Sequence, residues 1–442
     1  MSARTICSLL FLMVVMWPRW AFAHHGIINF DMNREVEVSG VVTRLAFVNP
    51  HSWLYFDATA ADGSVTAWKC ELRGAGVLRR SGWSPEMFAP GTRIRITGAP
   101  DRFEPNTCYL GSIAFENGTR IDRYGQITRP GAPAPAAASA RSRRLPDGQP
   151  NISGEWAAEQ RVLTDPRGFS GAFLPLGVAS HLEPGAVPKG TQAFPGTRGS
   201  AAAQAQDPVN EFWNRRPSLL PLTPAGARVM EHFDGASADN PRLRCEPTSI
   251  LFDWTFEADV NQIAQSGDAI VLRYGSMGLV RTIHLDVSEH PAGVTPSRAG
   301  HSIGRWENDV LIVDTVGFEP GILSADGRLP HSERLHVVER LSLGADGRSL
   351  TRSWVATDPL YFEGEYTGSD VVFISDIPYQ PAPCEDLSYK ASSGEEAAAP
   401  RPENSQALIW GPAGLLGGIV IGWLLLRRVA GPRAPAARGR QL

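Results

Sequence analysis

The sequence lacks several short motifs that mark well-known catalytic and metal sites. It contains no His-Glu-x-x-His pair, no Cys-x-x-Cys pair and no glycine-rich phosphate loop. Its formal net charge is only -4 over 442 residues, so the composition gives no reason to expect a nucleic-acid partner. We therefore name no catalytic residue, and an enzymatic role is not the expected one.

Cysteine is also scarce, with five residues in the whole chain. Cys7 falls in the predicted leader described below, which leaves two cysteines in each half of the remaining chain. In an oxidising compartment this distribution predicts two disulfides, Cys70–Cys108 and Cys245–Cys384. The alternative is four unpaired, buried thiols.

The first 23 residues have the pattern of a secretory signal peptide. Arg4 precedes an apolar run from Ile6 to Met16, and Ala21-Phe22-Ala23 supplies the small residues of a cleavage site. Cleavage after Ala23 would make His24 the mature N-terminus. We therefore predict that the protein is exported.

The other end of the chain carries a candidate membrane anchor. Residues 407–426 are an uncharged apolar stretch of 20 residues, long enough to cross a bilayer as a helix. Five arginines follow in the tail, residues 427–442, and such a bias marks the cytoplasmic side. We predict an inner-membrane protein with a single C-terminal pass and most of its chain in the periplasm. A buried soluble helix is the alternative, but the glycines of this stretch would weaken it. The protein could also have a structural role in a membrane protein complex.

Composition divides the exported part into two domains. A Pro- and Ala-rich segment, residues 126–150, is typical of a linker and separates a first domain, 24–125, from a second, 151–390. Residues 391–406 form another linker. The first domain shows the order strand-strand-strand-helix-strand-strand, which predicts a small, five-stranded, OB-like barrel. A generic β-roll is the alternative.

The second domain begins with a loop-rich region, residues 155–240, that shows little alternation of apolar and polar residues. From Phe252 to Tyr379 the sequence instead indicates about eight short strands separated by hairpin turns. We predict a mainly β protein whose second domain is a larger antiparallel barrel or meander. A closed or nearly closed barrel is favoured, because closure removes exposed strand edges. A barrel of this size holds a small ligand or is filled by its own side chains.

The predicted mature N-terminus offers ligands for a metal ion. His24 would present its free amine and its imidazole, which together chelate an ion, and His25 follows it. His51, in a Pro-His turn, would add a further nitrogen if the chain folds back along the first strand. Asp31 and Asp57 are expected either to supply an oxygen ligand or to orient an imidazole. Nitrogen ligands without thiolates favour copper, with zinc as the second choice. The alternatives are a frayed terminus and a turn histidine that bonds a backbone carbonyl.

A second group of candidate residues lies in the second domain. His301 and His331 each precede a serine at the start of a predicted strand, so both are expected at one rim of the barrel. We predict that this rim binds a ligand through seven polar residues: Arg281, His284, His301, Ser302, Arg305, Asp314 and His331. It would take a small molecule without a metal, would hold a metal ion, or would carry a hydrolytic site. The alternative is a set of salt bridges and buried hydrogen bonds.

Parts of the sequence resemble known families. Ala23-His24-His25-Gly26, Asn49-Pro50-His51-Ser52-Trp53 and Leu78-Arg79-Arg80-Ser81-Gly82-Trp83 resemble a family of small exported bacterial proteins that is catalogued as a domain of unknown function. The resemblance covers residues 20–120, implies an exported β-domain and names no activity. Through Gly300–Glu307, the second domain resembles another uncharacterised, β-rich bacterial group.

Overall fold

The computed structural model describes two β-barrels and the segments that join them. The described residues are 30–31, 34–122, 125–130, 141–163, 173–179, 182, 218–233, 239–324, 328–381 and 383–385. Both barrels belong to one compact unit, residues 1–395. The predicted signal peptide, His24, His25 and the apolar segment 407–426 lie outside the described residues. In the part of the chain that is described, no helix is long and apolar enough to span a bilayer.

The first domain is a closed barrel of five strands. They are β1 (Val36–Ala46), β2 (Trp53–Thr59), β3 (Val65–Glu71), β4 (Arg93–Pro100) and β5 (Thr107–Phe115). The order around the barrel is β1, β2, β3, β5 and β4, and a parallel pairing of β3 with β5 closes it. Helix α1 (Ala75–Arg80) and a 3₁₀ helix (Pro85–Phe88) lie between β3 and β4. The predicted five-stranded barrel is confirmed, and the short strands β6 (Arg120–Asp122) and β7 (Ile127–Thr128) extend its sheet beyond β5.

Alternation of side chains explains the core of this barrel. In β4, Ile94 and Ile96 are buried while Arg93 and Arg95 are exposed, as expected for a strand with one face on the core. The disulfide Cys70–Cys108 joins β3 to β5, where the two residues are direct partners in the closing pair. The first predicted disulfide is therefore confirmed.

The second domain is built mainly from short strands. In chain order they are β8 (Gly154–Ala158), β9 (Arg161–Leu163), β10 (Phe173–Pro175), β11 (Asn261–Gln265), β12 (Ala269–Arg273), β13 (Val280–His284), β14 (His301–Glu307), β15 (Val310–Val316), β16 (Gly321–Ser324), β17 (Leu329–His331), β18 (His336–Leu343), β19 (Ser349–Thr357) and β20 (Tyr366–Ile374). Nine of these strands close into a barrel in the order β11, β12, β13, β14, β15, β18, β19, β20, β8. The pairs β9–β10 and β16–β17 form separate two-stranded sheets. The described helices of this domain are α2 (Leu176–Ala179), α3 (Pro224–Met230) and the 3₁₀ helices Pro241–Arg244 and Phe256–Ala258.

The second barrel is confirmed as closed, but it differs from the predicted antiparallel meander. Strand β14 pairs with β13 in parallel, because the connection of residues 285–300 returns the chain to the end at which β13 began. Strands β8 and β11 complete the barrel, although neither has a clear strand pattern. Residues 361–365, within the region expected to form strands, are irregular, and β20 begins at Tyr366.

A buried ionic network lies in the core of the second barrel. Nη2 of Arg281 is 2.5 Å from Oε2 of Glu339, and Nη1 of Arg352 is 3.4 Å from Oε1 of the same carboxylate. Burial alone would raise the pKa of Glu339, but the charges of the two arginines hold it below its ordinary value. Arg352 also pairs with Asp370 and donates to the carbonyl oxygen of Ile250. Side chains of the barrel itself therefore occupy this part of its interior.

The two barrels meet at helix α1. The carboxylate of Asp259 lies directly against Gly76 of α1, where a methyl group would overlap its Oδ1. Arg80, in the same helix, donates to the carbonyl oxygens of Ala158 and Ala258 in the second domain. The junction therefore buries charged groups of both domains.

A second contact between the barrels involves the last described residues. The amide of Asn49 donates to the carbonyl oxygen of Pro383 at 2.9 Å, and the amide of Glu385 donates to the carbonyl oxygen of Asn49 at 2.8 Å. Cys384, between them, forms a disulfide with Cys245. This bond confirms the second predicted disulfide and attaches the segment to the second domain.

Replacing Asp259 by asparagine is expected to reduce the pH dependence of stability. Burial, together with the charge of Glu257, raises the pKa of Asp259 to about 7. Between about pH 4 and about pH 7 the folded protein then holds a proton that the unfolded chain has released, so the free energy of unfolding falls by about 1.4 kcal/mol per pH unit as pH rises. Burial also raises the pKa of Asp253 to about 7, and its equal contribution remains in the variant.

Chemical denaturation at several pH values within this window measures the effect. The Asp259→Asn variant should lose about 1.4 kcal/mol per pH unit of the wild-type slope. The exposed Asp286 provides a matched control, since Asp286→Asn should leave the slope unchanged. A slope that is the same in Asp259→Asn and in the wild type would refute the prediction.

Candidate functional site

His51 lies beside a buried carboxylate in the turn between β1 and β2. It follows a cis peptide bond between Asn49 and Pro50. Its Nδ1 is 2.9 Å from Oε1 of Glu71, and its side chain is 33 % exposed, whereas that of Glu71 is 4 % exposed. Burial would lower the pKa of His51, but the negative charges of Glu71 and Glu257 raise it above its ordinary value. Because Nδ1 faces Glu71, Nε2 is the nitrogen that remains for a ligand.

Glu71, rather than Asp31 or Asp57, is the carboxylate that lies against this imidazole. Strand β3 pairs with β2 in a register that sets Glu71 opposite Trp53, and this places its side chain near the start of β2. Sequence analysis missed Glu71 because the contact depends on the register between two strands. The only local signal for Glu71 was its place as an acidic residue near the end of a predicted strand.

Phe30 places the start of the described chain next to the same turn. Its side chain is 1 % exposed and packs in one apolar cluster with Val48 and Trp53, which flank the turn. Six residue steps separate Phe30 from position 24, and an extended chain of that length covers about 20 Å. His24 and His25 themselves lie outside the described residues.

Two residues predicted for the rim of the second barrel are part of its buried network instead. Arg281 and Ser302 are at most 2 % exposed. Nε of Arg281 donates to Oγ of Ser302 at 2.8 Å, and that oxygen is 3.0 Å from Oγ1 of Thr315. The buried hydrogen bonds that we gave as the alternative describe these two residues.

Neither candidate serine is placed as a hydrolase nucleophile. Gly300–Gly304 spells the pattern Gly-x-Ser-x-Gly, which in hydrolases forms a sharp turn from a strand into a helix. Here Ser302 is the second residue of β14 and its hydroxyl contacts Arg281 and Thr315. The hydroxyl of Ser332 donates to Asp358 at 2.9 Å. A hydrolytic site needs a serine within reach of a histidine ring, and among the described residues neither hydroxyl is paired with one.

Arg305 and His331 also have partners of their own. Arg305 is exposed and lies 2.7 Å from Glu307. His331 is 5 % exposed, its ring meets that of Phe318 edge-on, and burial lowers its pKa to about 4. The contacts of these two side chains are therefore separate from those of the other residues predicted for the rim.

Four imidazoles and one carboxylate come together at the surface of the second barrel. Nε2 of His290 and Nε2 of His336 are 3.1 Å and 3.0 Å from Oδ1 of Asp314. Nδ1 of His290 is 2.8 Å from Nδ1 of His301. The ring of His284 stacks on that of His301, with 5.2 Å between their centroids. We call these five residues the histidine patch.

The carboxylate controls the charges within the histidine patch. Hydrogen bonds from His336 and His290 lower the pKa of Asp314, and the bond to Asp314 raises the pKa of His336. Burial and the neighbouring charges of His290 and His284 lower the pKa of His301. An ionised carboxylate thus accepts from two imidazoles, while the ring of His301 is disposed to stay neutral.

Sequence analysis named three members of the histidine patch, His284, His301 and Asp314, and missed the other two. His290 lies in the connection 285–300, which has no strand pattern, and His336 begins β18, a neighbour of β15. The patch holds four of the ten histidines of the chain. In the described residues, no group of three or more His, Cys, Asp or Glu side chains is arranged to hold a metal ion.

Comparison with known proteins gives a family match over most of the first barrel. No curated protein and no solved structure matches the chain. The sequence resemblance noted for residues 20–120 is confirmed by a family model, whose matched span includes His24, His25, His51 and Glu71 and reaches Cys108 in β5. Residues 13–108 match the model of a family of unknown function, DUF6152.

Proposed function

We propose that the mature protein, anchored in the inner membrane with most of its chain in the periplasm, binds a copper ion through His24, His25 and His51, with zinc as the second choice. The observation that carries this proposal is the pairing of His51 with Glu71 at 2.9 Å. A carboxylate behind a histidine fixes its tautomer and makes the opposite nitrogen a better ligand. The half-exposed imidazole of His51 is therefore prepared to bind an ion from solvent.

The position of Phe30 supports the N-terminal part of the site. Its packing against Val48 and Trp53 sets the first described residue beside the turn that carries His51. A terminal amine and imidazole from His24, joined by the ring of His51, would give three nitrogen ligands, a set that suits copper.

Replacing His51 by alanine is expected to remove one bound Cu(II) ion per chain from protein that begins at His24. Replacing Glu71 by glutamine keeps the ligand but should weaken this site by about 10- to 100-fold, the usual cost of losing the partner of a ligating histidine. Titration calorimetry, with the N-terminus verified by mass spectrometry, measures both effects. The exposed His232 is the control, because His232→Ala removes an imidazole from elsewhere.

Protein that retains residues before His24 supplies a second control. Its α-amine is no longer on His24, so we expect it to bind Cu(II) more weakly even though every side chain is present. Equal copper binding by His51→Ala and by the unchanged processed protein would end the proposal.

A further inference from the structure

We infer that His290 and His301 form a second metal site, on the surface of the second barrel, which takes a tetragonal divalent ion such as Cu(II) through two Nδ1 ligands. It uses no residue of the N-terminal site and lies in a different domain. The inference rests on three features of the histidine patch: the proton positions that Asp314 imposes, the separation of the two nitrogens, and their access to solvent.

Asp314 determines which nitrogen of His290 is free to bind. An ionised carboxylate only accepts hydrogen bonds, so Nε2 of His290, 3.1 Å from Oδ1 of Asp314, carries the proton. Nδ1 of the same ring therefore has a lone pair, and this nitrogen lies 2.8 Å from Nδ1 of His301. In the same way, metal-binding histidines commonly donate a hydrogen bond from the nitrogen that does not bind the metal to a carboxylate.

The distance between the two nitrogens indicates the geometry of the ion. Two imidazole nitrogens at about 2.0–2.1 Å from one ion are about 2.9 Å apart when they subtend a right angle, and about 3.3 Å apart at the tetrahedral angle. The observed separation of 2.8 Å between His290 and His301 is close to the right angle. Adjacent ligands at a right angle are typical of tetragonal Cu(II) or Ni(II), whereas structural zinc prefers a tetrahedron.

Without a metal, one proton bridges the two rings. His301 donates from Nδ1 to the lone pair of His290, and it must move this proton to Nε2 or release it before both rings can bind one ion. The affinity of the pair therefore includes the loss of that hydrogen bond. The rest of the histidine patch would hold the rings in place, since His336 shares Asp314 with His290 and His284 stacks on His301.

The pair can be reached from solvent. The side chain of His290 is 19 % exposed and that of Asp314 is 30 % exposed, so an ion can enter without opening the barrel. Since the described residues offer no set of three ligands, water or an external ligand would fill the remaining positions. A bound ion at this site would consequently be exchangeable.

The test uses the full, leader-processed chain and Cu(II). The unchanged protein is expected to bind two ions, the His51→Ala variant one, and a variant that combines His51→Ala with His290→Ala and His301→Ala none. In the His51→Ala background, the electron paramagnetic resonance spectrum of bound Cu(II) should show tetragonal symmetry and coupling to two nitrogens. Asp314→Asn in that background should weaken binding by about 10- to 100-fold while leaving both ligands in place.

The outcomes separate this inference from the proposed function. If the processed protein binds one ion that His51→Ala abolishes, the second site does not exist and the proposed function stands. If it binds one ion that survives His51→Ala and is lost in His301→Ala, the second site stands and the proposed function fails. Tighter binding of Zn(II) than of Cu(II) by the His51→Ala variant would refute the tetragonal assignment. The thermal unfolding midpoint of each variant verifies that it is folded.

Discussion

Replacing Glu339 by alanine is expected to destabilise the second barrel by about 3–5 kcal/mol, the typical cost of breaking a buried ion pair. Its carboxylate is the shared partner of Arg281 and Arg352, and all three side chains are at most 2 % exposed. Without Glu339, both guanidinium groups lose this partner in a core from which water is excluded. Unfolding in urea, followed by tryptophan fluorescence, measures the loss.

An exposed ion pair in the same barrel gives the matched control. Arg305 and Glu307, both on β14, lie 2.7 Å apart, with their side chains 64 % and 46 % exposed. Because solvent screens such pairs, Glu307→Ala is expected to change the free energy of unfolding by at most about 1 kcal/mol. A loss below about 1 kcal/mol in Glu339→Ala would show that the buried network does not depend on its carboxylate.

Removing the disulfide between Cys245 and Cys384, with serine at both positions, is expected to lower the free energy of unfolding by about 5 kcal/mol. The bond closes a loop with a sequence separation of 139 residues, and the entropy that such a bond removes from the unfolded chain grows with the logarithm of loop length. The Cys70–Cys108 bond, with a separation of 38, should contribute about 4 kcal/mol by the same relation.

Each double-serine variant is therefore the control for the other, because both remove one disulfide and differ in the length of the loop that it closes. Guanidinium unfolding of each, compared with the oxidised wild type, tests both the size and the order of the effects. A smaller loss from the Cys245–Cys384 pair than from the Cys70–Cys108 pair would contradict the entropic account. The first variant should also loosen the segment that pairs with Asn49, which amide hydrogen exchange at Glu385 would detect as faster exchange.

The first barrel could be predicted because its signals are local. Each strand alternates within a few residues, as Arg93 to Ile96 shows, and tight turns separate the strands. Both disulfides could also be predicted from the even distribution of the cysteines, because the expected export and the separation of the two domains leave few reasonable pairings. The helix between β3 and β4 was expected as one piece, and Gly82, with a φ of +87°, ends it before the 3₁₀ helix.

The second barrel was harder because its closure depends on distant pairings. Strand β11 contains Asn261 and two glutamines and has no apolar alternation, and it is a strand because β8 and β12 pair with it on either side. The region before Tyr366 is irregular because the carboxylate of Asp358 accepts from the amides of Leu360 and Tyr361. Such a local turn competes with strand formation, even where aromatic residues have a high propensity for strands.

In the candidate sites, too, contacts between neighbouring strands could be predicted and contacts that depend on the folded chain could not. Polar residues in the strands were assigned to a rim, but Arg281 and Ser302 face the core, where Glu339 and Thr315 from other strands satisfy them. His284, His301 and Asp314 do come together, because β13, β14 and β15 are neighbours. His290 could not be placed, since only the folded connection brings its ring to Asp314.

The bond of Cys384 also decides how the second domain would respond to mechanical force. Tension applied at the C-terminal end of the described chain would reach Cys384 and pass through its covalent bridge to Cys245, ahead of β11. Strands β19 and β20, which precede Cys384 in the chain, would then lie outside the path of the load. Such a pull would first shear the hydrogen bonds between Glu385 and Asn49.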